Sequence, residues 1–395
     1  MAAAPPYPLY FRTYYLYRVS PFHHGDSPLL ADRALRTHAT RLRDQLKGDN
    51  VRGVEVDFAS TEGALPNLGP LEECHWDLLG DEDAFIERHR QLFEDVEASQ
   101  ISSAVGASQA RGIQVTLDYE RQSYSALLLR DPEAKVSPAG FTSLPLLLVK
   151  MPALIRDIFL NYLRTNFDAH VAPLKLQSIF LTSTLENYFR HLSAPRSRQS
   201  IRDVVRQLQV QLAFPGSTTV LKHIDVNIAG ADVLGFFKRG KLLPNAKDAP
   251  FTTALRSYLQ NHLALDISNP KVQISRITCG SFTIQSDRIK ILAPDAPDDS
   301  ASGRSGTPET TASQRAVDDL YTSLVREAAG SGKFLPDNIL EEIREETPSS
   351  TGSVVRRGRK RAVSNTAPGN TAAKKTQGRG KENGRAVDGD EDTEM

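Results

Sequence analysis

The sequence predicts an α+β fold of curved, mostly antiparallel β-sheets with packed helices, followed by a disordered C-terminal tail. Segments in which apolar and polar residues alternate occur in groups, and single helical patterns separate these groups instead of alternating regularly with them. No internal repeat is visible. Beyond Pro348 the chain has no Leu, Ile or aromatic residue, a composition that cannot form a buried core.

The first helix is predicted from its end signals and its two-sided pattern. Ser27 and Pro28 suit an N-cap and the first helical position, and Gly48 follows Lys47 as a stop signal. One face of this helix is apolar, and the opposite face carries a basic stripe. The residues of the stripe are Arg33, Arg36, Arg43 and Lys47.

The remaining elements of the body follow from alternation of period two or from helical periodicity. Strands are predicted at residues 10–19, 54–58, 76–79, 113–119, 124–129, 208–214 and 224–228, with two or three more within 272–292. Helices are predicted at residues 81–97, 153–167 and 253–263. The most apolar stretch, residues 144–163, contains charged residues and a proline, so it predicts a buried strand followed by a helix and not a membrane span.

These patterns divide the chain into four parts. Residues 1–294 form the α+β body, with an alternative division into two subdomains near residues 145–200. Residues 295–313 are expected to be a flexible linker, because Ala is their only apolar residue type. Residues 314–346 carry an amphipathic helical segment, strongest at 316–329 and followed by a short one at 336–345. Residues 347–395 are expected to be a disordered basic tail with an acidic tip.

The net charge of zero hides an uneven distribution. Of 48 basic and 48 acidic residues, residues 351–387 hold ten basic and one acidic residue, and the last eight residues hold five acids. The rest of the chain therefore has 38 basic and 42 acidic residues. DNA contact by the body would have to depend on local basic stripes and not on overall attraction.

No recognisable catalytic or metal-binding motif occurs in the sequence. Residues 330–333 resemble the end of a phosphate-binding loop, but Phe334 and Glu327 stand where that motif needs Ser/Thr and Gly. Cys74 beside His75 could form a nucleophile and base, although a half-buried strand explains both residues. The two cysteines, Cys74 and Cys279, indicate a reducing compartment. We therefore expect no enzyme activity, catalytic residue, metal or cofactor.

The tail contains short sequences of regulatory type. Its basic clusters have the form of a bipartite nuclear-import signal read by importin, with a solvated basic tail as the alternative. The import residues are Arg356, Arg357, Arg359, Lys360, Arg361, Lys374 and Lys375. The tripeptide Lys381, Glu382 and Asn383 matches a KEN-type degron. Within the body there are two candidate DNA-binding sets, the basic stripe and a loop with Lys238, Arg239 and Lys241. For the stripe, the alternative is an ordinary solvated helix face.

Several segments of the body resemble fungal centromere protein L (CENP-L) homologues, which are inner-kinetochore subunits of the constitutive centromere-associated network. The segments that carry the resemblance are residues 7–10, 16–21, 24–29, 221–226, 250–255, 263–266 and 272–280. The resemblance implies an α+β protein without enzymatic activity, located in the nucleus at the centromere. It also implies a heterodimer with a centromere protein N (CENP-N)-like subunit, contacts to other inner-kinetochore proteins, and a link to centromeric CENP-A chromatin and DNA.

The resemblance places the pairing region in the C-terminal sheet. In this chain we expect that region within residues 272–292, with an edge strand that binds the partner by sheet extension. The apolar residues assigned to pairing are Ile274, Ile277, Phe282, Ile284, Ile289 and Ile291, and an ordinary core role is the alternative for each. The competing functional hypotheses are a nuclear enzyme that processes nucleic acid and a generic nuclear DNA-binding scaffold.

Overall fold

The structure is a computed structural model that describes residues 6–47, 68–93, 105–131, 137–194, 201, 205–215, 221–244, 246, 248–293 and 311–330. Seven helices lie within these residues: α1 (Asp32–Lys47), α2 (Glu82–Phe93), α3 (Ala153–Phe167), α4 (Ser178–Leu192), α5 (Gly230–Leu242), α6 (Pro250–Leu263) and α7 (Ala312–Ala329). The sequence segments predicted at 54–58 and 336–345, the import signal and the degron lie outside the described residues.

The described strands form one large sheet and one small one. The strands are β1 (Thr13–Val19), β2 (Phe22–His23), β3 (Leu71–Leu79), β4 (Gly112–Tyr119), β5 (Ser123–Leu129), β6 (Phe141–Thr142), β7 (Leu146–Lys150), β8 (Val171–Pro173), β9 (Gln207–Ala213), β10 (His223–Ala229), β11 (Gln273–Thr278), β12 (Phe282–Gln285) and β13 (Arg288–Ile291). The large sheet has the order β10-β9-β11-β12-β13-β1-β7-β5-β4-β3, with β8 also paired to β1. All named strand pairs are antiparallel, so the predicted α+β class with antiparallel sheets is confirmed.

The helices pack on opposite faces of the two halves of this sheet. Helices α1 and α3 bury Leu42 and Phe159 in a core with one face of β7, β5, β4 and β3. Helices α4 to α7 bury Phe189 and Phe251 in a second core with the other face of β10, β9, β11, β12 and β13. Each half of the sheet therefore has one face that a core covers.

Strand β1 belongs to both cores because its side chains alternate between the two faces of the sheet. Tyr14 and Leu16 lie in the core beneath α4 and α7. Tyr17 and Val19 lie in the core beneath α1 and α3. The neighbouring strands β7 and β5 are likewise buried on both faces, which explains the uninterrupted apolar runs that the sequence shows there.

The helical segment predicted at 316–329 is helix α7, and its apolar side packs on the body. The Thr311 side chain accepts a hydrogen bond from Gln314 N and caps the first turn, and Gly330 ends the helix with a positive φ of 69°. The buried residues of α7 include Ala316, Val317, Leu320, Leu324 and Val325. The apolar periodicity of this segment thus predicted its buried face correctly.

A polar network fixes α7 to both halves of the sheet. The buried Tyr321 hydroxyl donates to the carbonyl oxygens of Arg111 (3.2 Å) and Arg130, at the ends of β4 and β5. The Arg111 guanidinium also lies 3.3 Å from Asp318 Oδ1. On α4, His191 Nε2 lies 2.5 Å from Asp319 Oδ2. Helix α7 therefore connects strands of the first half to a helix of the second.

Two large apolar residues of the predicted helices are exposed. Ile86 of α2 is 46% exposed and Leu154 of α3 is 41% exposed. Each lies next to a residue that does pack inward, Phe85 and Ile155, and adjacent helical residues are turned about 100° apart. The buried stripe of each helix therefore excludes one of its large apolar residues. Helix α1 also begins at Asp32, four residues after Pro28. None of the described helices is both long and apolar enough to cross a membrane.

An aromatic cluster lies beneath α1. His38 Nδ1 is 2.8 Å from the Tyr162 hydroxyl oxygen, and the imidazole ring centre is 4.5 Å from that of Phe167 and 5.8 Å from that of Trp76. Burial, with a smaller contribution from the positive charge of Arg41, lowers the pKa of His38 from 6.5 to about 4. The folded state therefore favours the neutral imidazole.

We expect the Tyr321→Phe variant to lower the free energy of unfolding by about 1–2 kcal/mol, because it removes the buried donor to the Arg130 carbonyl oxygen, whereas the Arg111 carbonyl oxygen keeps the Arg130 N–H as a donor. Chemical denaturation of the full chain measures this. Ser323→Ala, at a half-buried position on the same helix, is the control and should change the value by less than about 0.5 kcal/mol. Equal stability of the two variants would contradict the role of the Tyr321 hydroxyl.

We expect acid to destabilise the fold through His38. Its pKa is lower in the folded than in the unfolded state, so its contribution is fully present above pH 6.5 and is lost as the pH falls toward about 4. In His38→Phe, which keeps an aromatic ring against Phe167, the difference in unfolding free energy from the parent should change with pH only inside this window. A difference that stays constant from pH 7 to pH 4 would contradict the assignment.

Candidate functional surfaces

Strand β10 is an outer strand of the large sheet and offers backbone groups for pairing. Phe214 N donates to Lys222 O at 3.2 Å, and Gly230 N donates to Arg206 O at 2.9 Å. Hydrogen-bonded and non-hydrogen-bonded pairs alternate in an antiparallel ladder, so the even-numbered residues of β10 bond to β9. The N–H and C=O groups that point away from β9 belong to His223, Asp225 and Asn227, whereas Ala229 is the N-cap of α5 and its C=O accepts the first hydrogen bond of that helix.

The side chains of β10 differ on its two faces. Ile224 and Val226 are half-buried against the core beneath α4 to α7. Asp225 lies on the other face, where its Oδ1 accepts hydrogen bonds from Gln211 Nε2 at 3.0 Å and Arg276 Nη2 at 3.3 Å. Among the described residues, this edge therefore combines unpaired backbone groups with partly exposed apolar side chains, as strand-addition sites do.

The prediction of an edge strand within residues 272–292 is wrong. Strand β11 pairs with β9 and β12, and β13 pairs with β12 and β1, so each of these strands has a neighbour on both sides. The six apolar residues assigned to pairing, Ile274, Ile277, Phe282, Ile284, Ile289 and Ile291, are all buried in the core of this chain. Their alternation reflects the face that α4 and α7 cover.

The basic stripe lies on the outer side of α1, as predicted. Arg33, Arg36 and Lys47 are exposed, and Arg43 is half-exposed with its Nε 3.5 Å from Asp44 Oδ1. The apolar side of the helix packs on β3 through Leu35, Leu42 and Leu46. Four cations thus follow one exposed helix face.

The second candidate DNA-binding set lies in the last turn of α5 and not in a loop. The Arg239 guanidinium lies 4.8 Å from the ring centre of Phe236, and Lys241 Nζ lies 4.5 Å from that of Phe237. Lys238 is exposed on the same turn. Gly240 allows the close approach of α6, because a Cβ there would come within 1.8 Å of Pro250 O. Since α5 and α1 belong to different cores, the two basic sets lie on opposite faces of the sheet.

The strand register brings together three metal-ligating residues that the sequence did not reveal. Glu73 and His75 share one face of β3, and Asp118 lies opposite Glu73 on β4. One ligand atom of each lies within 4.8 Å of the others. These side chains are exposed or half-exposed, and His75 Nε2 is 2.7 Å from Glu73 Oε2. The group could hold a divalent cation, but it lies on an open sheet surface, as acidic groups without a metal often do.

Cys74 and His75 do not form a nucleophile and base. Adjacent strand residues point to opposite faces, so Cys74 faces the core beneath α1 while His75 faces outward. Burial raises the pKa of the Cys74 thiol to about 12 and that of Cys279 also to about 12. Neither thiol is ionised at neutral pH, which argues against nucleophilic chemistry at these two residues.

Comparison with known proteins identifies the family. No curated protein matches the chain. The family model described as Centromere protein L matches residues 8–329, which include every helix and strand described above from β1 to α7. Proteins of this family are structural components of the kinetochore at the centromere, in the nucleus, and are not known as enzymes. This match covers most of the chain, and the chain therefore belongs to the centromere protein L (CENP-L) family.

Proposed function

We propose that this protein pairs with a CENP-N-like subunit along the free edge of β10 and helps to link centromeric CENP-A chromatin to the inner kinetochore. The observation that carries the proposal is the row of backbone groups on His223, Asp225 and Asn227 that β9 leaves unpaired. A partner strand added there would satisfy these groups and cover the half-buried Ile224 and Val226.

The position of this edge supports pairing through the C-terminal sheet while changing the strand involved. The six buried residues of β11 to β13 belong to the hydrophobic core on which this half of the sheet packs. Strand β9 pairs with β11, and β10 pairs with β9, so the position of β10 depends on these strands. Side chains with no exposed surface cannot meet a partner unless the chain opens. We therefore assign direct contact to β10 and a supporting role to β11, β12 and β13.

A proline on the outward-facing positions of β10 tests this interface. Asn227 pairs with Gln209 in a non-hydrogen-bonded position, so Asn227→Pro removes an N–H that only a partner strand would use. We expect the full chain to remain folded and to lose co-purification with the CENP-N-like subunit.

The matched control is Asn227→Ala, which removes the same side chain and keeps the N–H. It should co-purify with the partner as the parent does. Pairing that survives in a folded Asn227→Pro variant would place the interface elsewhere, and a second copy of this chain bound at β10 in place of the partner would show as a homodimer in size-exclusion chromatography.

We also propose that basic residues of the body contact centromeric DNA. The stripe on α1 supports this, because its cations share an exposed face and Arg33, Arg36 and Lys47 show no ion pair with a described residue. Lys238, Arg239 and Lys241 are a second candidate set on the other face of the sheet. Phosphate contacts of this kind position a protein on DNA without reading the sequence.

Reversal of the stripe tests its role. Replacing Arg33, Arg36, Arg43 and Lys47 with Glu should weaken binding of duplex DNA by the protein pair. The salt dependence should also flatten, by about 0.9 in the slope of log K against log salt for each phosphate that the variant no longer binds. The charge-matched comparison sets the double reversal of Arg33 and Arg36 against Glu at Arg90 and Arg121, exposed on α2 and on the β4–β5 turn, because each pair changes the net charge by four. An unchanged slope in the stripe variant would make this face an ordinary solvated one.

For the C-terminal region we propose nuclear import through importin, carried by the basic clusters of residues 356–361 and 374–375. The high density of basic residues in a segment without Leu, Ile or aromatic residues supports a role as a nuclear-import signal. A role of the tripeptide Lys381, Glu382 and Asn383 in timed degradation is proposed on its sequence alone. Contacts with other inner-kinetochore subunits are proposed from family membership.

A further inference from the structure

The open face of the first half of the sheet, formed by β7, β5, β4 and β3, has a pair of cations at one side. Ser125 of β5 lies opposite Lys150 of β7 in the strand register, so both side chains point to this face. Arg12, just before β1, reaches the same position, and its Nη1 donates to Ser125 Oγ at 3.1 Å. Lys150 is exposed and Arg12 is half-exposed, so both can be reached from solvent. Two cations therefore meet at Ser125 on an accessible surface.

Neither cation has an acidic partner within the part of the chain that the structure describes, because all ion pairs there involve other residues. Burial, with a smaller contribution from the positive charge of Arg12, lowers the pKa of Lys150. A guanidinium has five N–H groups, more than the Ser125 hydroxyl can accept, and a lysine ammonium has three. The pair therefore has charge and donors left for an incoming oxyanion.

The residue before Arg12 is an exposed aromatic in an unusual backbone conformation. Phe11 has a φ of 59°, in the left-handed region that bulky residues rarely adopt, and it is 53% exposed. Its N–H donates to Ile291 O at 2.7 Å, which fixes this part of the chain to β13. Because more than half of the residue is exposed, core packing does not explain a phenylalanine at a strained position. Exposed aromatic residues are common contact residues of protein interfaces.

Acidic side chains lie at the other side of the same face. Cross-strand pairing continues the row of Lys150 through β5 and β4 to His75 on β3. Glu73 and Asp118 form the next pair of the register on this face. Three strand spacings of about 4.8 Å separate β7 from β3, so these acids lie roughly 14 Å from Lys150. The face is therefore positive at one side and negative at the other.

This charge distribution favours a phosphorylated peptide over duplex DNA as the ligand. A duplex carries phosphates along its whole length, and Glu73 and Asp118 would repel those nearest β3. A peptide can present one phosphate to the cations and a Lys or Arg to the acids, since about four extended residues span roughly 14 Å. We propose that Arg12 and Lys150 bind a phosphoserine or phosphothreonine of a partner protein, and that Phe11 contacts a neighbouring residue of the same segment.

This contact goes beyond the functions proposed above and does not depend on them. It uses the first half of the sheet, whereas β10 lies at the far end of the second half. The basic stripe belongs to α1, which packs on the opposite face of the first half. Phosphorylation of the partner supplies the negative charge that the cation pair lacks, so the contact should form only with the phosphorylated segment.

An oriented peptide library tests the proposal. The library has phosphoserine at the centre of an otherwise degenerate peptide, and the matched library has serine there. We expect the immobilised full chain to retain the phosphorylated library at least severalfold more strongly, because a charge-assisted contact to two cations is gained. The retained peptides should be enriched in Lys or Arg about four positions from the phosphoserine.

Double variants assign the preference to the two cations. Arg12→Gln with Lys150→Gln should abolish the difference between the libraries. The charge-matched control is Arg33→Gln with Arg36→Gln, on the exposed face of α1, and it should keep the difference. Arg12→Lys with Lys150→Arg keeps both charges and should retain most of the preference. Thermal unfolding of each variant shows whether the body is intact.

Phe11→Gly separates binding from folding. Glycine adopts a positive φ without strain, so this variant should unfold close to the temperature of the parent or above it. It should bind the phosphorylated library more weakly, because the aromatic contact is lost. A lower unfolding temperature with unchanged peptide binding would make Phe11 a structural residue and contradict its part in the contact.

Two results would overturn the proposal as a whole. The first is equal retention of the two libraries by the parent chain. The second is a folded Arg12/Lys150 glutamine variant that keeps the preference for phosphoserine. If the parent shows no such preference and the same variant binds duplex DNA more weakly, the cations belong to the DNA contact instead. Pairing at β10 and DNA binding by the α1 stripe are measured separately, so failure here leaves the functions proposed above in place.

Discussion

The position of β1, shared between two hydrophobic cores, is the constraint on which the rest of the structure depends. A strand has only two faces, and β1 places Tyr14 and Leu16 in one core and Tyr17 and Val19 in the other. It also pairs with β7 on one side and with β13 and β8 on the other. The two halves of the sheet are therefore continuous through β1, and β1 contributes side chains to both cores.

The functional surfaces follow from the fact that helices cover opposite faces of the sheet in its two halves. Because α1 and α3 cover one face of the first half and α4 to α7 cover the other face of the second, each half leaves surface open to solvent. In the first half the open side carries Glu73, His75 and Asp118. In the second it carries polar side chains that include Asp225, Gln211 and Arg276. An antiparallel sheet with one solvated face commonly shows such alternation.

Helix α7 connects the two halves of the structure. It reaches the ends of β4 and β5 through Tyr321 and Asp318, and α4 through Asp319. A second tertiary contact of the same kind joins α4 to α6, where Glu186 Oε1 accepts a hydrogen bond from Thr252 N at 2.6 Å in the first turn of α6. Burial raises the pKa of the Glu186 carboxyl, and the N–H donors at the helix end oppose that effect. Such contacts order the helices relative to the sheet, beyond what apolar packing alone would specify.

Local pattern predicted most elements because the forces that select them act within a few residues. Alternation identified β4, β5, β9 and β10, and the period of α7 identified its buried side. The same reasoning placed the edge strand incorrectly, because whether a strand lies at an edge depends on partners far away in sequence. It also could not show that Arg156 and Arg288 both approach the Tyr15 ring, since only folding brings them together.

The amino-acid sequence by itself determined the α+β class, the positions of five of the seven described helices and of most long strands, the basic face of α1 and the family, but it did not predict α4 and α5. These depend on periodicity, end signals and segments that the chain carries locally. The tertiary structure alone decided which strand is free, which face of each half is covered, and which cations meet around Tyr15. Those features depend on the order of the strands in the sheet and on the change of the covered face at β1. Both depend on contacts between residues that are distant in sequence, so no local pattern encodes them.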